Sequence, residues 1–127
     1  WDSNKGWARH TYAVIQDEGG QTVPMTMNTR RPGVFTCTVV VGEDFDKQAG
    51  AYFLNFQVAI DGDSRWVFYP MQAGGLSGEV IVNRPPLHGN GSDVPFSIYS
   101  PSPERTFQIT LDLTAEDRRN TVTWKAM

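Results

Sequence analysis

Nine consecutive residues constrain this chain more than any others. In Tyr52-Phe-Leu-Asn-Phe-Gln-Val-Ala-Ile60, the apolar side chains Tyr52, Leu54, Phe56, Val58 and Ile60 recur at every second position. A strand sends alternate side chains to opposite faces, so these five line one face. The other face is mixed, with Asn55, Gln57 and Asp61 alongside Phe53 and Ala59. Asp61-Gly62 then supplies the positive φ that a tight reversal needs, and Trp66-Val-Phe-Tyr69 reads as the returning strand of a hairpin.

The same alternation runs through the rest of the chain. Strands are expected over about Arg9–Gln16, over Gln21–Asn28, over Val34–Val41 and, more briefly, over Leu76–Val82. Pro24 marks the second of these as an edge strand or no strand, because proline lacks a ladder donor. An edge at Gln21–Met27 is also open to pairing with another chain. Pro95–Ser100 places Phe96 and Ile98 on one side. Thr106–Leu113 turns Phe107, Ile109, Leu111 and Leu113 inward, with Gln108, Thr110 and Asp112 outward. Asn120–Lys125 returns with Val122 and Trp124 inward and Thr121, Thr123 and Lys125 outward.

Charged Gly42–Gly50 reads as a loop or one helical turn. Asn83–Asp93, dense in Pro and Gly, is the longest loop. Helical periodicity is found nowhere over a useful length. The expectation is an all-β antiparallel sandwich of about eight or nine strands, with turns at the spacing such folds use. At 127 residues, with no internal linker or repeat, residues 1–127 form one domain.

Charge and composition exclude several function classes. A net charge of -3 and a pI near 5.2 offer no basic field for a phosphate backbone, so nucleic acid is not an expected partner. The apolar runs are strand-sized, which gives no membrane-spanning helix. No secretory leader is legible, and a chain opening on Trp1 rather than Met reads as a processed or excised piece. The single cysteine, Cys37, cannot pair internally and reads as a small core residue.

No metal site, cofactor site or catalytic motif is legible. Asp61 and Asp63 flank Gly62, but the remaining oxygen ligands of a calcium loop are missing, so a turn role is expected. His10 and His88 lie near no second ligand or nucleophile. No nucleophile elbow, phosphate loop or dinucleotide fingerprint occurs, and the chain is not expected to be an enzyme. Asn90-Gly-Ser92 matches the N-glycosylation acceptor, and the Arg30-Arg31 and Arg118-Arg119 pairs read as solvated turn charges.

Three segments carry a resemblance: Trp1-Asp-Ser-Asn-Lys-Gly-Trp7, Pro32-Gly-Val-Phe35, and Phe56-Gln-Val-Ala-Ile-Asp-Gly62 with Trp66 and Pro70. Across about residues 1–82 this resembles the starch- and glycogen-binding modules of amylolytic enzymes and glycogen-sensing kinase subunits. The chain is also similar to small modules of dinoflagellate proteins, through Pro85-Pro-Leu-His-Gly89 and a closing Val122-Thr-Trp124.

The resemblance implies an immunoglobulin-like sandwich that binds an α-glucan or other oligosaccharide without catalysis. It implies that Trp7 and Trp66 stack on sugar, that Lys5, with Asn4 beside it, is a polar partner, and that Tyr69 adds a contact. The rings of Trp1, Trp7 and Trp66 could equally serve packing. The family's sugar-touching Asn pair is not found after Leu76, and the last forty or so residues extend beyond its usual core. Those departures point to a second reading: a protein-docking or structural module, or an accessory subunit of a larger assembly such as one of the plastid.

Overall fold

The computed structural model describes residues 11–16, 22–61, 63–70, 82–83 and 95–127. Among these the protein is all-β. Eleven strand segments pair antiparallel throughout, and a single turn of 3-10 helix spans Arg118–Asn120. No helix among them is long and apolar enough to cross a membrane.

The strands are β1 (Tyr12–Gln16), β2 (Thr22–Pro24), β3 (Thr26–Met27), β4 (Val34–Val41), β5 (Phe45–Asp46), β6 (Ala51–Ile60), β7 (Asp63–Pro70), β8 (Val82–Asn83), β9 (Phe96–Ser100), β10 (Arg105–Asp112) and β11 (Val122–Ala126). The larger sheet runs β2-β1-β6-β7-β8, and β5 and β9 also pair with β6. The smaller runs β11-β10-β4-β3.

The ten-residue strand β6 organises the larger sheet. One of its edges carries β5 at Tyr52 and β1 from Phe56 to Ile60. The opposite edge carries β9 from Tyr52 to Phe56 and β7 at Val58 to Ile60, with a bulge between Ala59 and Ile60. The expected hairpin is present. Asp61 takes φ 53°, and its Oδ1 accepts hydrogen bonds from Thr11 N–H (2.8 Å) and Oγ1 (3.3 Å). Its own N–H donates to the Thr11 carbonyl at 2.8 Å. The turn aspartate therefore also ties the start of β1 to the end of β6, consistent with a structural role.

The inner faces of both sheets meet in one apolar core. Tyr12, Val14, Phe56, Val58, Ile60, Phe68, Phe96 and Ile98 come from the larger sheet. Phe35, Val39, Val41, Phe107, Ile109, Leu111 and Val122 come from the smaller, with Leu113 just beyond it. This arrangement of two sheets around a shared interior is sandwich-like. Phe56 stacks on Phe96 at 5.2 Å, and Trp124 meets both rings edge-on at 5.7 and 6.0 Å. Tyr52, Leu54, Cys37 and Trp124 are partly buried at the rim of this core.

Several local expectations are corrected. The segment Gln21–Asn28 is not one strand. β2 is the outer strand of the larger sheet, Met25 donates its N–H to the Tyr12 carbonyl (2.9 Å), and β3 then joins β4 at the edge of the smaller sheet. The missing N–H of Pro24 faces away from β1, on the outer edge that proline tolerates, and the chain changes sheets after Met25. Val23 and Met25 pack on the core, whereas Met27 is exposed.

Gly42–Gly50 contains the two-residue strand β5, whose Phe45 packs edge-on against Tyr52 at 5.1 Å. Thr121 was expected outward but is fully buried. It precedes β11, so the alternation of that strand does not govern it. Cys37 is half-buried rather than sealed. The first residues of the strand expected at Arg9–Gln16, most of the strand expected at Leu76–Val82, and the long loop beyond Asn83 lie outside the described residues.

Candidate functional site

The two sheets present different outer faces. On the larger one, the side of β6 that should be mixed is sealed toward its end: Ala59 is 0% exposed and Gln57 8%, while Phe53 and Asn55 are half-buried and Ser97, across from Asn55, is 8% exposed. Ser97 Oγ donates to Asn55 Oδ1 at 2.7 Å, which satisfies a polar pair in this covered layer. The smaller sheet buries one face only. Along β10, buried Phe107, Ile109 and Leu111 alternate with half-exposed Thr106, Gln108, Thr110 and Asp112.

That open face is hydroxyl-rich and ordered by register. Thr26 lies opposite Thr36, Thr36 opposite Thr110, and Thr110 opposite Thr123, so one row of threonines crosses all four strands. Threonine suits such a position, because its branched carbon fits the pleat and its hydroxyl faces water. In the next row are Thr38, Gln108 and Lys125.

At one end of this face is a depression of about 440 Å³ lined by Arg31, Thr110, Asp112, Asn120, Thr123, Trp124 and Lys125. Asp112 is its anchor. Asp112 Oδ1 accepts from the N–H (2.9 Å) and Oγ1 (2.6 Å) of Thr114, and Oδ2 faces Arg31 Nη2 at 3.6 Å. The backbone on either side is tied down: Asp112 N–H donates to the Thr121 carbonyl (2.7 Å) and Leu113 N–H to the Gly33 carbonyl (2.9 Å). Gly33 sits at φ 89°, where a side chain would be strained.

Asn120 is placed by the turn before β11, where its N–H donates to the Asp117 carbonyl at 2.9 Å. Asp117 is held there by Arg119. Hydrogen bonds from the Arg119 side chain (Nε and Nη2, 2.9–3.2 Å) and from its backbone keep the Asp117 carboxyl below the usual carboxylate range.

The depression thus presents a carboxylate, a guanidinium, an ammonium, an amide and two hydroxyls on a rigid sheet. Sugar hydroxyls donate and accept at once, and such a mixed set of donors and acceptors can engage them. No group of three or more His, Cys, Asp or Glu suited to a metal ion occurs among the described residues.

Of the residues expected at a sugar site, Trp66 and Tyr69 are on β7, and Tyr69 is registered against Asn83 of β8. Their side chains, and all of Lys5 and Trp7, lie outside what the structure describes, as do Trp1, Asn4, His10, His88 and the Asn90-Gly-Ser92 acceptor. Trp124 joins the core, as its place in the alternation implied, and also lines the depression.

The depression was not expected from the sequence as a site. Thr110, Asp112, Thr123 and Lys125 were legible as outward residues, but only the pairing of β10 with both β4 and β11 brings them to Arg31. Comparisons with protein-family models, curated proteins and solved structures give no match to this chain.

Proposed function

We propose that this protein is a non-catalytic carbohydrate-binding module, an immunoglobulin-like sandwich that takes an α-glucan or related oligosaccharide. The observation that supports this reading best is the polar depression on the open face, with Asp112 and Arg31 fixed beside Thr110, Thr123, Asn120 and Lys125. Glycoside hydrolysis needs two carboxylates across the scissile bond. Asp112 is the one carboxylate of the lining among the described residues, and both its oxygens face partners, which favours binding over cleavage. Stacking by Trp7 and Trp66, with Lys5 and Tyr69, belongs to the same proposal as a separate contact region.

A shallow polar site of this kind binds weakly, at roughly millimolar sugar or about 4 kcal/mol. The test is titration with maltoheptaose, followed by tryptophan fluorescence and by amide chemical shifts. Asp112→Ala and Thr123→Val should weaken the response if the depression holds the sugar. Trp66→Ala and Trp7→Ala should weaken it if the rings do. No response in the unmodified protein at millimolar sugar sinks the proposal.

A second reading, a protein-docking module, is favoured by a different observation: beyond Thr36, the outer edge of β4 pairs with no strand among the described residues.

A further inference from the structure

The outer strands of this fold are guarded unequally. Natural edges are blunted by proline, charge or brevity. β2 has Pro24, β3 is two residues long, and β11 bears Lys125. β4 has none of these devices along Cys37-Thr-Val-Val-Val41.

Register shows which backbone groups are open. Asn28 N–H donates to the Val34 carbonyl at 2.7 Å, so Val34, Thr36, Thr38 and Val40 direct their backbone groups toward the β3 side, and the residues between them bond toward β10. β3 covers Phe35 and Thr36. Beyond Thr36, no strand among the described residues pairs with that edge. Thr38 is exposed, and Val40 is 52% exposed, the more open of the two large apolar residues exposed in the smaller sheet.

We infer that this edge is a dimer seam, where a second copy of the chain adds its own β4 antiparallel across a two-fold axis at Val39. Thr38 of each copy then lies opposite Val40 of the other, in reciprocal hydrogen-bonded pairs. Three features select a second copy. The open stretch is centred on Val39, so the pairing uses it fully and closes on itself. It is uncharged and rich in β-branched residues, and so complements itself. Exposed Arg30 and Arg31 precede β4, and exposed Glu43 and Asp44 follow it. Antiparallel pairing brings each copy's acidic end toward the other's basic end, whereas parallel pairing opposes like charges.

The seam joins the two copies' four-stranded sheets and widens the threonine face. It gives the docking reading a specific partner and does not depend on sugar binding.

Sedimentation equilibrium of the full chain across the micromolar range, with and without maltoheptaose, is the test. The expected species is twice 14.2 kDa, with or without glucan. Val40→Lys should shift it to the monomer with the circular dichroism of the unmodified protein, and its melting should no longer depend on protein concentration. In a Cys37→Ser background, Thr38→Cys combined with Val40→Cys should yield an oxidative cross-link between copies joining positions 38 and 40. An unmodified protein that stays monomeric throughout overturns the inference, as does a Val40→Lys protein that remains dimeric. A dimer that ignores glucan supports the seam and counts only against the sugar reading.

Discussion

The larger and smaller sheets share a core yet differ on the side turned away from it. β6 ends in five consecutive buried residues, Phe56 to Ile60, so both of its faces are sealed there. β10 alternates buried and half-exposed residues along its length. A sheet sealed on both sides is scaffold, and a sheet sealed on one side has a face left for a partner. The threonine row and the Asp112 depression are on the second kind.

The largest test of this contrast places the same charge on each outer face. Ala59→Lys buries an ammonium in the sealed layer and should cost more than about 4 kcal/mol or abolish folding, read by urea denaturation.

Cys37 probes the inner side of the smaller sheet. Burial pushes its thiol from the usual 9.0 up to about 11. At pH 8 the thiolate fraction should be about 100-fold below that of a free thiol, and alkylation should be slower by at least that factor until denaturant is added. Because the fold favours the neutral thiol, this contribution to stability is complete below the free thiol's pKa and is lost as pH climbs toward 11. Tyr12, raised by burial and then by the Asp61 charge, acts in the same direction. Alkaline melts should therefore show the midpoint falling as pH rises above about 9.

Asp112→Ala removes two hydrogen bonds to Thr114 and the contact with Arg31. It should cost about 1–2 kcal/mol in denaturation while leaving the core intact. Gln108→Lys should stay within about 0.5 kcal/mol of the unmodified protein, because its side chain already meets solvent. If Gln108→Lys costs as much as Ala59→Lys, the two faces are not different.

Much of the smaller sheet was legible from alternation alone, because half-buried strands write their burial at period two. Phe107, Ile109 and Leu111 turn inward as read, and so does Val122. The sealed outer side of β6 was not legible, since Asn55, Gln57 and Ala59 look like an ordinary mixed face until tertiary cover is known. The sheet change after Met25 was half-legible: Pro24 announces an edge strand but not where the chain goes next. The depression was hidden for a different reason. Arg31 and Asp112 are far apart in sequence and meet only because β4 pairs with β10.

Amide chemical shifts during a maltoheptaose titration test the open-face account most directly. It predicts shifts concentrated on Arg31, Thr110, Asp112, Thr123 and Lys125, with the buried stretch Phe56–Ile60 unmoved. Shifts along Phe56–Ile60 with the smaller sheet silent would contradict it.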